Sequence, residues 1–141
     1  MTPEQIQTAA RHFIIAALWA DAPEGSRPRA TAESRETARR FVYAFAERYP
    51  QTVAAMLATN GYGAHPDCGF DPAAALGQDI YLTCAGHGAG FADRGEHGER
   101  LLAFVRRDWR MWHVDCEFYR GWLYLIAAGC KQIVGAPNDG E

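Results

Sequence analysis

Apolar residues in the first twenty positions recur at helical spacing, with Ile6, Ala9, Ala10, Phe13, Ile14, Ala17 and Leu18 on one stripe. Thr2, Pro3 and Gln5 form a capping box with proline at the first helical position, so a helix is predicted from there to about Trp19–Asp21. The stretch DAPEGSRPR ends it and reads as an exposed loop. A second stripe, Ala38, Phe41, Val42, Phe45 and Tyr49, predicts a helix from about Thr31 to Tyr49, with Glu33, Arg35, Glu36, Arg39 and Arg40 on its wet side. Pro50 turns the chain into a shorter helix, roughly Gln51 to Thr59, closed by Asn60-Gly61. The glycine- and proline-rich segment that follows holds one helical turn, capped by Asp71 and begun by Pro72.

After Gly77 the pattern changes. Asp79 to Thr83 (DIYLT) is short, with β-branched and aromatic residues, and reads as a strand. A glycine-rich loop leads to a helix from about Gly98 to Arg107, its apolar side made of Leu101, Leu102, Phe104 and Val105. Met111–Phe118 and Trp122–Ile126 flank YRG as a β-hairpin. The predicted architecture is α+β, with N-terminal helices packed on a small, mostly antiparallel three-stranded sheet. Residues 1–134 make one domain, and 135–141 (GAPNDGE) read as a disordered tail.

Composition narrows the function classes. A net charge of -3 argues against a general binder of nucleic acid or anionic membranes, which needs a basic field. The local basic strip is Arg100, Arg106, Arg107 and Arg110. No run approaches the roughly 18 apolar residues of a membrane span, and no signal peptide is visible, so a cytoplasmic location is expected. In that setting Cys68, Cys84, Cys116 and Cys130 read as thiols.

Chemistry concentrates in residues 84–100, CAGHGAGFADRGEHGER. His87, Asp93 and Arg94 supply an acid/base group, a carboxylate to orient it and a cation for an anionic substrate. The competing reading is a structural network that braces a turn, and it is the one favoured. Gly86, Gly88 and Gly90 offer backbone amides for an anion, but no Gly-Lys-Ser/Thr follows, so this is not a P-loop. His65-x2-Cys68, Cys84-x2-His87 and His113-x2-Cys116 carry a zinc-like spacing, although residues three apart on a strand face opposite ways. No metal or cofactor is assigned. Trp109, Trp112, Phe118, Tyr119, Trp122 and Tyr124, interleaved with Arg106, Arg107, Arg110 and Arg120, fit a core with a protein-binding rim ahead of a nucleic-acid platform.

Leu82-Thr83, Gly86 to Phe91 and Asp93 to Gly95 stand in register with the signature HDFWLTRNGHGAGFWDRG. The chain thereby resembles a group of small uncharacterised proteins carried by bacteriophages, plasmids and integrated elements. Ala17-Leu18-Trp19 resembles that group's ALW helix end, while Ala85 and Ala92 replace its Asn and Trp. The resemblance implies a mobile-element accessory protein that binds a host or mobile-element protein complex. Its most concrete form is inhibition of a defence complex such as a CRISPR effector or a restriction enzyme. On that reading Gly86, Gly88, Gly90, Phe91, Arg106, Arg107, Arg110 and Trp112 are the binding residues. The alternative is a small enzyme acting through His87, Asp93 and Arg94 on a phosphorylated or nucleotide substrate.

Overall fold

A computed structural model describes residues 1–65, 69–127 and 140–141. Helix α1 (Pro3–Asp21) starts as its sequence dictates: the Thr2 hydroxyl accepts the Gln5 amide at 3.1 Å, and the Gln5 side chain accepts the Thr2 amide at 2.9 Å. Its buried stripe runs Ile6, Ala9, Ala10, Phe13, Ile14, Ala16 and Ala17. The stripe lies against α4 (Pro72–Cys84), and here the expected strand over 79–83 is corrected: DIYLT forms the last turns of that helix. Asp71 caps it by accepting the Ala74 amide at 3.0 Å, and Pro72 begins it. Gly77, which looks like a terminator, is instead the point of closest approach. A Cβ there would lie 1.9 Å from the Ala9 carbonyl oxygen, so only glycine lets the two backbones meet. Once the helix continues through Gly77, the local β preference of Ile80 and Tyr81 is overridden by burial, both residues being packed in the core.

Helix α2 (Ala32–Arg48) is capped by Thr31, and Phe41, Val42, Phe45 and Tyr49 are fully buried as predicted. Pro50 opens α3 (Pro50–Leu57). The third strand of the sheet is not 79–83 but β1 (Arg29–Ala30), two residues at the end of the proline loop. It pairs in parallel with the middle strand β5 (Trp122–Ala127), Arg29 opposite Trp122, and β5 pairs antiparallel with β4 (Val114–Tyr119). The sheet is therefore mixed, with its antiparallel pair joined by Arg120-Gly121. Both turn residues have positive φ, 49° and 82°, as a two-residue hairpin requires. The short pair β2 (Ala64–His65) and β3 (Gly69–Phe70) stands apart from this sheet.

Where β1 ends, a side chain continues its role. Ser34, buried in the first turn of α2, donates to the Leu123 carbonyl at 3.0 Å and accepts the Leu125 amide at 2.9 Å. The inner face of the hairpin, with Val114 and Leu123 fully buried, closes over α2. Helix α5 (Gly95–Arg107) and the single turn α6 (Trp109–Trp112) complete an aromatic core. In it Trp112 packs edge-on against Phe41 and Phe45 and donates to the Tyr49 hydroxyl at 2.7 Å. Of the expected tail only Gly140 and Glu141 are described; the Glu141 carboxylate accepts the Gln51 amide at 2.9 Å and the Thr52 amide, capping α3. Among the described residues no helix is long and apolar enough to cross a membrane.

Candidate functional site

The GHGAGF loop leaves the C-terminus of α4, and its first residues finish that helix. The Gly86 amide donates to the Thr83 carbonyl at 3.2 Å and the His87 amide to the Leu82 carbonyl at 2.9 Å, with Gly86 at φ 84°. This is the Schellman arrangement, with Gly86 in the left-handed position after the cap. Of the three glycine amides expected to cradle an anion, that of Gly86 is thereby engaged. The amides of Gly86 and His87 are spent, and the end of the helix they cover carries carbonyls, which repel an anion. Further along, the Phe91 amide donates to the Thr83 hydroxyl at 3.0 Å. A Cβ on Gly90 would sit 2.3 Å from that same oxygen, and its φ is 102°, so glycine is required there for close approach. The Phe91 ring is fully buried and stacks on Phe45 with centroids 6.0 Å apart.

Of the three residues expected to form an acid/base site, His87 and Arg94 hydrogen-bond carboxylates other than Asp93. His87 Nε2 lies 2.9 Å from Asp21 Oδ2 at the end of α1, so its carboxylate is Asp21 and not Asp93. Tyr81 donates its hydroxyl to the same Asp21 oxygen and stands 3.0 Å from Cys116 Sγ, its ring centroid 6.1 Å from that of His87. Burial, and then Asp21, push the Tyr81 hydroxyl well above its ordinary pKa. Burial pushes the Cys116 thiol up to about 11, which makes it a poor nucleophile at neutral pH. Asp93 lies exposed in the 3-10 turn Phe91–Asp93.

Arg94 takes a different carboxylate. Its Nε and Nη2 reach Asp79 at 3.1 and 3.2 Å, and the Tyr62 hydroxyl donates to Asp79 at 2.7 Å. The Asp79 side chain is 2% exposed and that of Arg94 47%, so a buried carboxylate holds a half-exposed guanidinium. Burial pushes the Asp79 carboxyl up, against the opposing pull of Tyr62 and Arg94. Burial also works against the charge of Arg94, but Asp79 more than offsets it and raises the guanidinium pKa. The loop is thus fastened at five points: the helix cap, the Thr83 hydroxyl, Asp21, the Phe45 stack and Asp79.

The remaining expected binding residues divide. Phe91 and Trp112 are core residues and present nothing to a partner. Arg107 is committed to Asp108 at 2.8 and 3.0 Å and lies over the Phe104 ring, which breaks the basic strip. Arg106 is exposed, and Arg110 covers the exposed Trp109. Of the zinc-like pairs, His113 is exposed beside Asp115 while Cys116 turns inward to Tyr81, and Cys84 is buried in α4 while His87 faces Asp21; the His65 pair lies partly outside the described residues. Cys68 and Cys130 lie outside the described residues. No group of three or more His, Cys, Asp and Glu is placed to hold a metal ion among the described residues.

Sequence reasoning missed the outer face of the hairpin as a unit. The register sets Tyr119 opposite Trp122, Glu117 opposite Tyr124 and Asp115 opposite Ile126, and all six are exposed. One row is aromatic and aliphatic, and the other carries two carboxylates and a tyrosine. Strict alternation on both strands was the signal that could have found it. The chain matches no known family model, no curated protein and no solved structure.

Proposed function

We propose that the protein is a protein-binding module that docks through the outer face of its β4–β5 hairpin. The observation that carries this reading is the side-by-side exposure of Trp122, Tyr124, Ile126 and Tyr119 on a rigid sheet, flanked by Asp115 and Glu117. Tyrosine and tryptophan are the residues that anchor protein interfaces, and a paired sheet presents them on backbone that is already ordered. The two carboxylates select a partner surface rich in arginine or lysine, whose guanidinium groups also stack on the aromatic rings. The resemblance to mobile-element proteins makes a host defence complex the first partner to test.

The test compares capture by the wild-type chain with capture by Tyr124→Ser and Glu117→Lys. Both side chains are exposed, so neither substitution should move the melting temperature. Support is a specific complex lost in both variants and weakened by salt. Retention of the complex in both variants would refute the hairpin face as the docking surface. The enzymatic alternative gains no support from the geometry, because His87 and Arg94 serve different carboxylates.

A further inference from the structure

Helix α3 begins with two backbone donors that its own residues leave open. The Tyr49 side chain at its N-cap makes no capping hydrogen bond, Pro50 has no N–H, and the Val53 amide already donates to the Tyr49 carbonyl. The amides of Gln51 and Thr52 remain, and both donate to the Glu141 carboxylate, the first at 2.9 Å. The residue before it is as closely fitted. A Cβ on Gly140 would lie 2.5 Å from Arg48 Cγ, 2.7 Å from the Arg48 carbonyl oxygen and 2.9 Å from Tyr49 Cε1, so the slot admits glycine and no larger residue. Arg107 Nη2 donates to the Gly140 carbonyl.

The charges around the pair favour an anion. Arg48 walls the slot, Arg107 holds the Gly140 carbonyl, and Arg100 acts on Glu141 through its charge. The carboxylate among them is Asp108, which takes Arg107 at 2.8 Å and stands 3.8 Å from Arg48 Nε. Three cations against one carboxylate leave an excess of positive charge for an incoming acid. Although burial opposes it, the Thr52 and Gln51 contacts and Arg100 hold the Glu141 carboxyl below its ordinary pKa. Thr52 is 2% exposed, and its hydroxyl has no hydrogen-bond partner among the described residues; it is one more donor at the same helix start. The groups that hold the pair come from α2, Tyr49, α3 and α5, and none belongs to the hairpin face. Two residues of the chain thus sit in a corner that reads both of them, the first by size and the second by charge.

We propose that this corner is a recognition slot for a partner segment carrying glycine followed by glutamate, and that Gly140-Glu141 is its resident occupant, displaced when such a segment binds. The experiment uses the isotopically labelled full chain as wild type, as Gly140→Ala, which the slot should expel for lack of room, and as Glu141→Lys, which the arginines should expel by charge. The probe is the peptide Ala-Ala-Gly-Glu, acetylated and amidated so that its acid is a side chain only, followed by NMR at the Gln51 and Thr52 amides. It should give saturable shifts in both variants and need several-fold more peptide in the wild type, where the tethered pair competes. Alanine in place of the peptide's glycine should weaken binding at least about tenfold, and glutamine in place of its glutamate about tenfold. Absence of saturable shifts in both variants, equal binding of the alanine or glutamine peptide, or wild-type binding as tight as that of the variants would overturn the assignment. So would a concentration-dependent dimer of the wild-type chain that Gly140→Ala abolishes, since the slot would then serve a second copy.

Discussion

Gly77→Ala adds a single methyl group to a helix interior. On propensity alone it should stabilise α4 by about 1 kcal/mol. The structure predicts the opposite. The new Cβ would lie 1.9 Å from the Ala9 oxygen, 2.6 Å from its carbonyl carbon and 2.8 Å from its Cα. These are backbone atoms of α1 and cannot swing aside. Restoring an ordinary contact of ~3.5 Å needs α1 and α4 to separate by roughly 1.5 Å, and a gap of even ~1 Å forfeits up to about half of each dispersion contact across the seam. Phe13, Leu76 and Ile80, all fully buried on these two helices, would bear that loss. If each loses about a third of the ~1.5–3 kcal/mol that its burial contributes, the cost is about 1.5–3 kcal/mol. Residual overpacking adds about 1–3 kcal/mol. After the propensity gain, a net destabilisation of about 1.5–5 kcal/mol remains, or on the order of 10 °C in melting temperature for a domain of this size. Urea unfolding of Gly77→Ala beside Gly88→Ala is the assay. A Cβ at Gly88 meets nothing within 4 Å, so that control should stay within about 0.5 kcal/mol of wild type. A Gly77→Ala protein as stable as wild type would refute the close-approach argument.

Asp79→Asn should destabilise the fold by about 2–3 kcal/mol in the same assay, below the ~3–5 kcal/mol of a fully buried broken pair because Arg94 keeps half its solvent; an unchanged midpoint would show that the pair is not fixed in solution. Acid stability should depend on Asp108, which accepts the Tyr49 hydroxyl at 2.5 Å. Despite the opposing effect of burial, Arg107 and Tyr49 hold its carboxyl below the ordinary value of 3.8. Its contribution is present above that ordinary value and is lost as pH falls through the lower folded value, so Asp108→Asn should flatten the acid limb of the melting profile below about pH 4. Asp79, raised by burial, acts in the opposite sense: its contribution is present below 3.8 and is lost as pH rises through its folded value. Cys116, raised from 9.0 to about 11, should be alkylated at pH 8 roughly a hundredfold more slowly than an unperturbed thiol, measured by mass spectrometry of the folded chain.

The parts of the fold legible in the sequence were those decided locally. The capping box at Thr2, the aromatic stripe of α2 and the alternation around YRG each specify a backbone within a few residues, and each is found. Residues 79–83 were misread because the deciding fact, the backbone of Ala9 pressed on Gly77, lies 68 positions away. Strand β1 escaped notice because a two-residue strand has no period and exists only through its partner Trp122-Leu123. The same limit governs the site. Nothing near His87 points to Asp21, and nothing near Arg94 points to Asp79, so Asp93 was the nearest carboxylate and the wrong one. Phe91 and Trp112 read as binding aromatics because composition does not distinguish a core ring from a surface ring.

The hydroxyl of Ser34 joins residues 89 and 91 positions apart, and β1 meets β5 across a similar span. On a ribosome, which releases the chain N-terminus first, α1 and α2 emerge complete long before Leu123 and Leu125 exist. The face of α2 that the hairpin covers therefore stays uncovered until nearly all of the domain has been made, and contacts of such separation form late in any case. A chain stopped before residue 122 keeps its capped helices but lacks the strand that Ser34 is placed to meet, so such a fragment would expose the apolar face of α2 and invite association with other chains.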